Sequence, residues 1–220
     1  MPASPIRVFV VDDHPLVREW HIYLLKSQPD IEVMGEADDG PPALAAMIAH
    51  PPDVAILDLS LKRSSGIDLI KALLEQRPGV AVVVLSMHEE VYYAERALRA
   101  GARGYVMKRE STQSIIAAIH EVMAGRLYAA PEVLSKLTER MVGRAKTTSV
   151  GSVETLSDRE LEVFRRMGEG QSTRMISEEL NVSIKTVQAY CGRIKEKLGL
   201  GTGTELVREA VRWTEQRHNS

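Results

Sequence analysis

One uninterrupted apolar run constrains the fold of this chain more than any other stretch. Residues 53–61 have the sequence Asp-Val-Ala-Ile-Leu-Asp-Leu-Ser-Leu, and the apolar centre of this run does not alternate with polar residues. A strand with one face in water would alternate, so the run predicts a strand that is buried on both faces, as in a parallel sheet covered by helices. Asp58 stands where the run ends, which predicts a carboxylate at the carboxyl end of this strand.

A second apolar run also ends at acidic residues. Arg7-Val8-Phe9-Val10-Val11 is followed directly by Asp12 and Asp13. In an open parallel sheet the carboxyl ends of the strands share one edge, where ligands bind, so we expect Asp12, Asp13 and Asp58 to meet there. Like charges this close are costly unless a cation takes up their oxygens, and Mg²⁺ is satisfied by one or two carboxylates, water and a phosphate oxygen. The pattern predicts a magnesium pocket suited to forming an aspartyl phosphate.

Strand and helix patterns alternate five times before residue 125. The other strands are predicted over residues 31–34, 80–86 and 103–107, and helices near 15–27, 41–50, 66–76, 89–100 and 111–124. This alternation predicts an α/β doubly wound parallel five-stranded sheet with right-handed crossovers. Strand four ends at Ser86 and strand five runs into Lys108, so a hydroxyl and an ammonium are expected at the same edge. The hydroxyl can hydrogen-bond a phosphoryl oxygen, and the ammonium can neutralise one.

The last 65 residues have a different, purely helical pattern. Ser157-Asp158-Arg159-Glu160 and Thr202-Gly203-Thr204-Glu205 are capping boxes that begin helices. A short helix after Ser172 and a longer one over 184–198 are separated by a three-residue turn. Two helices joined in this way predict a helix-turn-helix whose second member can enter the major groove of DNA, although helical hairpins also occur in many bundles.

The first part of the chain resembles the receiver domain of two-component response regulators. The resemblance covers residues 6–124 and depends on Asp12-Asp13, Asp58, Ser86 and Gly104-Tyr105-Val106-Met107-Lys108. It implies a receiver with the flavodoxin-like order of strands. Receiver domains are themselves a standard example of that order. It further implies that Asp58 is the phosphoacceptor for a sensor histidine kinase. The other site residues it implies are Asp12, Asp13, Asp58 and the backbone carbonyl of Ser60 for Mg²⁺, Ser86 and Lys108 for the phosphoryl group, and Tyr105 as the switch aromatic.

Residues 156–215 resemble the LuxR-type DNA-binding domain. The motifs that carry this resemblance are Leu156-Ser157-Asp158-Arg159-Glu160, Val182-Ser183-Ile184-Lys185-Thr186-Val187, Lys197-Leu198-Gly199 and Glu205-Leu206-Val207. With the receiver, they make the chain similar to the NarL/FixJ class of response regulators. The resemblance implies a small all-α domain that binds double-stranded DNA, and a homodimer formed on activation or on DNA. The DNA-binding residues it implies are Lys185, Thr186, Gln188, Tyr190, Arg193 and Lys197.

Domain boundaries and composition complete this interpretation. We expect a receiver domain over 1–125, a linker with a short helix over 126–153 and the DNA-binding domain over 154–220.

Net charge is −2, so DNA binding must depend on local charge. No apolar stretch approaches the roughly 20 residues that span a bilayer, and the amino terminus lacks a signal-peptide pattern, so we expect a cytoplasmic protein without a membrane partner. The single cysteine, Cys191, excludes an intramolecular disulfide framework.

Two alternatives remain open at this point. An aspartate-nucleophile phosphatase also uses a strand-end carboxylate with Mg²⁺, but such enzymes usually need a second acid two residues further on, where this chain has Ser60. We therefore expect a regulator and not an enzyme. An atypical regulator that binds DNA or protein without being phosphorylated is the other alternative. It is suggested by Lys62 and Arg109, which stand where many receivers have proline.

Overall fold

A computed structural model describes the fold of residues 4–61, 64–86, 91–108, 112–131, 133–135, 138, 153–180 and 182–218. The chain divides into two compact units, Met1–Ala145 and Lys146–Ser220. Among the described residues, none of the helices combines the length and the apolar character that a bilayer crossing requires.

The first unit is built on a five-stranded parallel sheet. Its strands are β1 (Ile6–Val11), β2 (Ile31–Ala37), β3 (Val54–Asp58), β4 (Ala81–Ser86) and β5 (Gly104–Met107), in the order β2-β1-β3-β4-β5. Its helices are α1 (Pro15–Lys26), α2 (Gly40–Ala49), α3 (Gly66–Gln76), α4 (Val91–Arg99) and α5 (Thr112–Met123). This order confirms the predicted doubly wound sheet, and it places β1 and β3 side by side at the point where the strand order reverses.

Burial explains why the inner strands lack alternation. All five residues of β3 and all six of β4 are buried, because helices cover both faces of the sheet. Val54 and Ile56 of β3 belong to one apolar cluster with Val8 and Val10 of β1. The apolar runs that suggested buried strands therefore form the core that holds the strand ends in register.

Strand β2 is longer than its predicted range of 31–34. Gly35 interrupts the apolar alternation of the sequence, yet the strand continues to Ala37. A Cβ atom on Gly35 would lie 2.6 Å from Cε2 of Phe9, so the glycine leaves room for that ring. The pairing of β1 with β2 shifts register between Val8 and Phe9 at the same place. The glycine reflects close packing across the sheet and does not end the strand.

The chain remains attached to the sheet after α5. The amide of Tyr128 donates to the carbonyl of Arg103 at 2.9 Å, and the amide of Tyr105 donates to the carbonyl of Tyr128 at 2.7 Å. The Tyr128 side chain packs against the apolar core. This short parallel bridge along the outer edge of β5 lies beyond residue 125, and the sequence pattern contained no signal for it.

The second unit is helical. A 3-10 turn (Val153–Thr155) precedes α6 (Asp158–Gly168), α7 (Thr173–Glu179), α8 (Ile184–Leu198) and α9 (Gly203–His218). Both predicted capping boxes are present, since side chain and backbone exchange hydrogen bonds between Ser157 and Glu160 and between Thr202 and Glu205. Phe164 of α6 meets Trp213 of α9 edge to face, with ring centroids 5.7 Å apart. Helix α7 buries Ile176, and α8 buries Val187 and Ile194. This pair of helices confirms the predicted helix-turn-helix, with α8 as its second helix.

Candidate functional site

Three carboxylates converge at the carboxyl edge of the sheet. Val11 of β1 pairs with Leu57 of β3, so Asp12 and Asp58 follow at the same level on neighbouring strands. The relative exposure of Asp12, Asp13 and Asp58 is 1%, 6% and 2%. One ligand atom from each of these residues and one from His14 all lie within 4.8 Å of one another. The structure therefore brings together the three acids that the sequence predicted would meet.

Lys108 joins this cluster from β5. Its Nζ atom lies 2.7 Å from Oδ2 of Asp12 and 2.7 Å from Oδ2 of Asp58. Its backbone amide donates to the carbonyl of Ser86 at 2.8 Å, which fixes the chain as it leaves the sheet. The ammonium thus lies between carboxylates from two other strands, at the edge predicted for it.

Burial and neighbouring charges have opposite effects on the pKa values of Asp58 and Lys108. Burial raises the pKa of Asp58, with the neighbouring Asp12 charge adding to the effect, while the Lys108 ammonium pulls the pKa down. Burial by itself would lower the pKa of Lys108, but the Asp58 and Asp12 carboxylates outweigh it and raise that pKa overall. Lys108 consequently remains a cation, whereas one ammonium is not enough to offset the cost of ionising Asp58.

Backbone groups fix the orientation of two of the carboxylates. The amide of Ser60 donates to Oδ1 of Asp58 at 3.0 Å, and the amide of His14 donates to Oδ1 of Asp12 at 2.9 Å. Each donor stands two residues after its acid, the spacing of an Asx turn. Nδ1 of His14 also lies 2.7 Å from Oδ1 of Asp13. The turns after β3 and β1 therefore orient the Asp58 and Asp12 carboxylates.

The donor set fits a hard divalent cation. Buried carboxylate oxygens from two strands lie within a few ångströms of one another, and the turn after β3 brings the Ser60 backbone beside Asp58. Oxygen ligands of this kind are those that Mg²⁺ prefers. A second positive charge here would offset the like-charge repulsion among Asp12, Asp13 and Asp58 that Lys108 offsets only in part. Asp12, Asp13 and Asp58 are the acids of this cluster that could hold the ion.

Ser86 lies on β4, the strand next to β3, and Tyr105 lies on β5, one strand further out. Ser86 ends β4, directly after the residue that pairs with Asp58, and it is fully buried. Tyr105 of β5 pairs with Val84 of β4 and is 1% exposed, so its ring lies inside the protein. Ser86 is thus on the strand that neighbours the strand of Asp58. The roles expected for Ser86 and Tyr105 stay predictions.

The sequence analysis missed two residues of this site. Gly66 begins α3, and a Cβ atom there would lie 2.6 Å from the carbonyl oxygen of Asp58 and from Cα of Leu59, so only glycine fits. The sequence analysis assigned no role to His14, although its position directly after two acids could have indicated its contact with Asp13. Lys62 and Arg109, which stand where many receivers have proline, lie outside the described residues.

The exposed face of α8 carries four of the six predicted DNA contacts. Lys185, Gln188, Arg193 and Lys197 are exposed, whereas Thr186 and Tyr190 are partly buried. Ser183 caps the helix by accepting from the Thr186 amide at 3.1 Å, and the two hydroxyl oxygens lie 2.8 Å apart. Cys191 Sγ lies 3.6 Å from Sδ of Met167, a packing contact between α8 and α6.

The distal end of α8 is tied to α6. Nζ of Lys197 lies 2.6 Å from Oε2 of Glu160, and the Arg193 guanidinium stacks over the Tyr190 ring at 4.8 Å from its centroid. Glu160 was predicted only as half of a capping box. No local pattern indicates that its carboxylate also pairs with a side chain 37 residues further along the chain.

Comparisons with known proteins match a family model to each of the two predicted domains. The family model for the response regulator receiver domain matches residues 8–120, and the model for bacterial regulatory proteins of the luxR family matches residues 154–210. The chain belongs to the response regulators that join a receiver domain to a LuxR-type DNA-binding domain, the NarL/FixJ class.

Individual relatives cover nearly the whole chain. The transcriptional regulatory protein UhpA of Escherichia coli K12 is 35% identical over 203 residues, which are 92% of this chain and 96% of that protein. The probable transcriptional regulatory protein NarL of Mycobacterium tuberculosis is 36% identical over 207 residues, 94% of either chain. Among solved structures, RcsB of Salmonella enterica serovar Typhimurium, bound to a promoter with a phosphomimetic, has a TM-score of 0.58 at 26% identity and covers 94% of this chain and 98% of its own.

Proposed function

We propose that this response regulator is switched by phosphorylation of Asp58 and that the switch controls sequence-specific DNA binding by α8. The observation that carries the proposal is the position of Lys108 between Asp12 and Asp58, because it joins three separate strand ends in one buried charged pocket. A phosphoryl group entering there meets a nucleophile, a cation and a hydroxyl already in place.

Asp58 is the proposed nucleophile. One of its carboxylate oxygens attacks the phosphorus atom of a phosphohistidine on a sensor histidine kinase, and the phosphorus–nitrogen bond breaks. Asp12, Asp13, Asp58 and the Ser60 carbonyl would hold Mg²⁺, and the bound ion would supply charge neutralisation at the phosphoryl oxygens. Lys108 provides the second positive charge, and its raised pKa keeps it protonated for this task.

The new phosphate would be sensed by β4 and β5. A phosphoryl group adds close to two negative charges and several hydrogen-bond acceptors. The hydroxyl of Ser86 donates to one of these oxygens, and the buried Tyr105 on the adjacent strand repacks as Ser86 moves. The pocket thereby biases two packing arrangements of one face of the receiver, which is the physical requirement for a switch.

DNA binding is assigned to the beginning of α8. Lys185 and Thr186 are proposed to contact phosphates, Gln188 to contact a base and Tyr190 to support them, while Arg193 and Lys197 lie further along the same helix. A helix-turn-helix of this kind reads paired half-sites when two copies bind, so we propose a homodimer on activation or on DNA. Such a protein acts on the chromosome and so in the cytoplasm.

Phosphorylation can be tested with a small phosphodonor and Mg²⁺, with intact mass as the measurement. We expect one trapped phosphate on the wild-type chain and none on Asp58→Asn. Asp53→Asn is the matched control, because Asp53 precedes β3 at the opposite end of the strand and pairs with Arg7; it should be phosphorylated like the wild type. Sustained release of phosphate would instead indicate a phosphatase, and no phosphate uptake would indicate the atypical regulator.

DNA binding can be tested by selection from a random pool. The full chain is incubated with the pool in the presence and absence of the phosphodonor, and the bound DNA is sequenced. Enrichment of a paired motif that depends on phosphodonor and on Asp58 supports the proposal. Enrichment of one motif in both the wild type and the Asp58 variant would contradict control of DNA binding by Asp58, but it would still support DNA binding itself.

A further inference from the structure

A buried carboxylate stands behind the exposed face of α8. Glu160 is 3% exposed and completes the capping box of α6, where its Oε2 accepts from the Ser157 amide at 2.7 Å. The same oxygen accepts from Nζ of Lys197 at 2.6 Å, and Oε1 lies 3.6 Å from Nε of Arg193. One acid of α6 therefore engages two cations of α8.

These contacts divide the basic residues of α8 into two groups. Lys185 is exposed near the beginning of the helix, and no contact of its side chain with an acid is recorded among the described residues. Lys197 is held by Glu160 although 38% of its side chain is exposed, and Arg193 is partly held although 54% of its side chain is exposed. Lys197 and Arg193 are thus drawn toward α6 while remaining near the surface.

Releasing Lys197 to a DNA phosphate would be costly. A buried carboxylate that loses its cation keeps an uncompensated charge. Burial would raise the pKa of Glu160, but hydrogen bonds from Lys197 and Ser157 lower it overall, so the carboxylate is ionised at neutral pH and retains its attraction for both cations. The charge would also repel an approaching phosphate backbone.

Cations on a DNA-facing helix increase affinity for every sequence. Contacts with phosphates are independent of sequence and supply nearly all of non-specific binding. We propose that Glu160 is a specificity-determining residue that never touches DNA: it competes with DNA phosphates for Lys197 and Arg193 and so limits non-specific affinity. The inference rests on the proposed DNA binding by α8. It explains how the exposed face of α8 continues to discriminate between DNA sequences.

Glu160→Gln is the direct test. Glutamine at this position of a capping box can still accept from the Ser157 amide, so the start of α6 is retained while the charge is removed. Binding of the full chain, treated with phosphodonor and Mg²⁺, is measured by fluorescence anisotropy against a labelled mixed-sequence duplex and against the selected motif at several salt concentrations.

We expect Glu160→Gln to bind the mixed-sequence duplex more tightly. Two released cations would steepen the slope of log affinity against log salt by about one to two, so a fourfold rise in salt would weaken the variant by up to about tenfold more than the wild type. The ratio of specific to non-specific affinity should fall. In Glu160→Gln combined with Lys197→Met, about one unit of the added slope should disappear.

Glu162→Gln is the matched control. Glu162 is a buried acid of the same helix, but its cations Arg165 and Arg166 belong to α6 and not to α8. The control should keep the wild-type slope. An unchanged slope in Glu160→Gln, or a uniform loss of affinity with no steepening, would overturn the proposal.

A second variant covers the case in which Glu160→Gln fails to fold. If Lys197 is already committed to Glu160, Lys197→Met should lower thermal stability yet leave the salt slope at the wild-type value. A slope flattened by about one unit would identify Lys197 as a phosphate contact and reject the inference. If the wild type itself shows no DNA binding, the proposed function fails first, so the two failures are distinguishable.

Discussion

Nζ of Lys108 lies 2.7 Å from a carboxylate oxygen of Asp58, although the two residues are 50 positions apart in the chain. The contact exists because β4 lies between β3 and β5 and all three strands are parallel, so their carboxyl ends share one edge. Asp12 accepts from the same ammonium. The pocket is therefore a property of the whole sheet, and its charge balance makes it testable without knowledge of a partner.

Replacing Lys108 by methionine should destabilise the receiver. The change leaves the buried Asp12 and Asp58 without their shared cation, a loss on the order of 3 kcal/mol for a buried pair. Urea unfolding measures it, with the exposed Lys71→Met on α3 as the control. A loss no larger than that of the control would show that the acids are compensated in some other way.

Replacing Asp13 by asparagine should separate stability from metal binding. Removing one of three clustered negative charges should raise the melting temperature without metal. The wild type should gain about 2.7 kcal/mol at a Mg²⁺ concentration one hundred times its dissociation constant, and the variant much less. Thermal unfolding with and without Mg²⁺ measures both effects. The exposed Asp38→Asn should respond to Mg²⁺ like the wild type; equal responses from all three chains would exclude Asp13 from the metal site.

The pH dependence of stability should carry the signature of Asp58. Burial raises the pKa of Asp58 in the folded chain above its value in the unfolded chain. The contribution of Asp58 to the free energy of unfolding is therefore greatest below the pKa of the unfolded chain, and it is lost as pH rises through the pKa of the folded chain. Asp58→Asn should therefore be more stable than the metal-free wild type at neutral pH, and the difference should shrink on acidification. Chemical unfolding over a pH series measures this, and a difference that grows on acidification would contradict the raised pKa.

Ser183 should affect stability and DNA binding in different ways. Ser183→Ala removes the cap that accepts from the Thr186 amide and should cost about 1 kcal/mol. Ser183→Asp restores an N-cap acceptor and should recover stability, yet its negative charge at the proposed DNA-facing end of α8 should weaken binding. Thermal unfolding of both variants measures the effect on stability, and anisotropy titration measures the effect on DNA affinity. Full DNA affinity in Ser183→Asp would place the interface elsewhere on the domain.

Lys185 and Gln188 should differ in what they contribute to DNA binding. Lys185→Ala should weaken binding to all sequences and flatten the salt slope by about one unit, because a phosphate contact is lost. Gln188→Ala should change the preferred sequence at one position and keep the slope, because a base contact is lost. Titrations against the selected motif and single-base variants measure both. An unaltered salt slope in Lys185→Ala would remove Lys185 from the proposed phosphate contacts.

Local patterns were sufficient for the elements and their order. The apolar runs at Val8–Val11 and Val54–Leu57 predicted buried strands because only a strand covered on both faces lacks alternation. Ser157 and Thr202 predicted helix starts because a capping box depends on residues three apart. The acids at the strand ends followed from the rule that parallel strands end at a common edge. These inferences succeeded because their causes act over a few residues or follow from topology.

The tertiary structure decided what depends on distance across the fold. That Glu160 pairs with Lys197, that Tyr128 extends the edge of β5 and that Gly66 leaves room for the Asp58 backbone could not be predicted, since each contact joins segments whose spacing in sequence carries no period. Sequence by itself determined which charges the protein has and on which elements they lie. Only packing decided which of those charges neutralise one another, because Coulomb interactions and burial depend on separation in space and not along the chain.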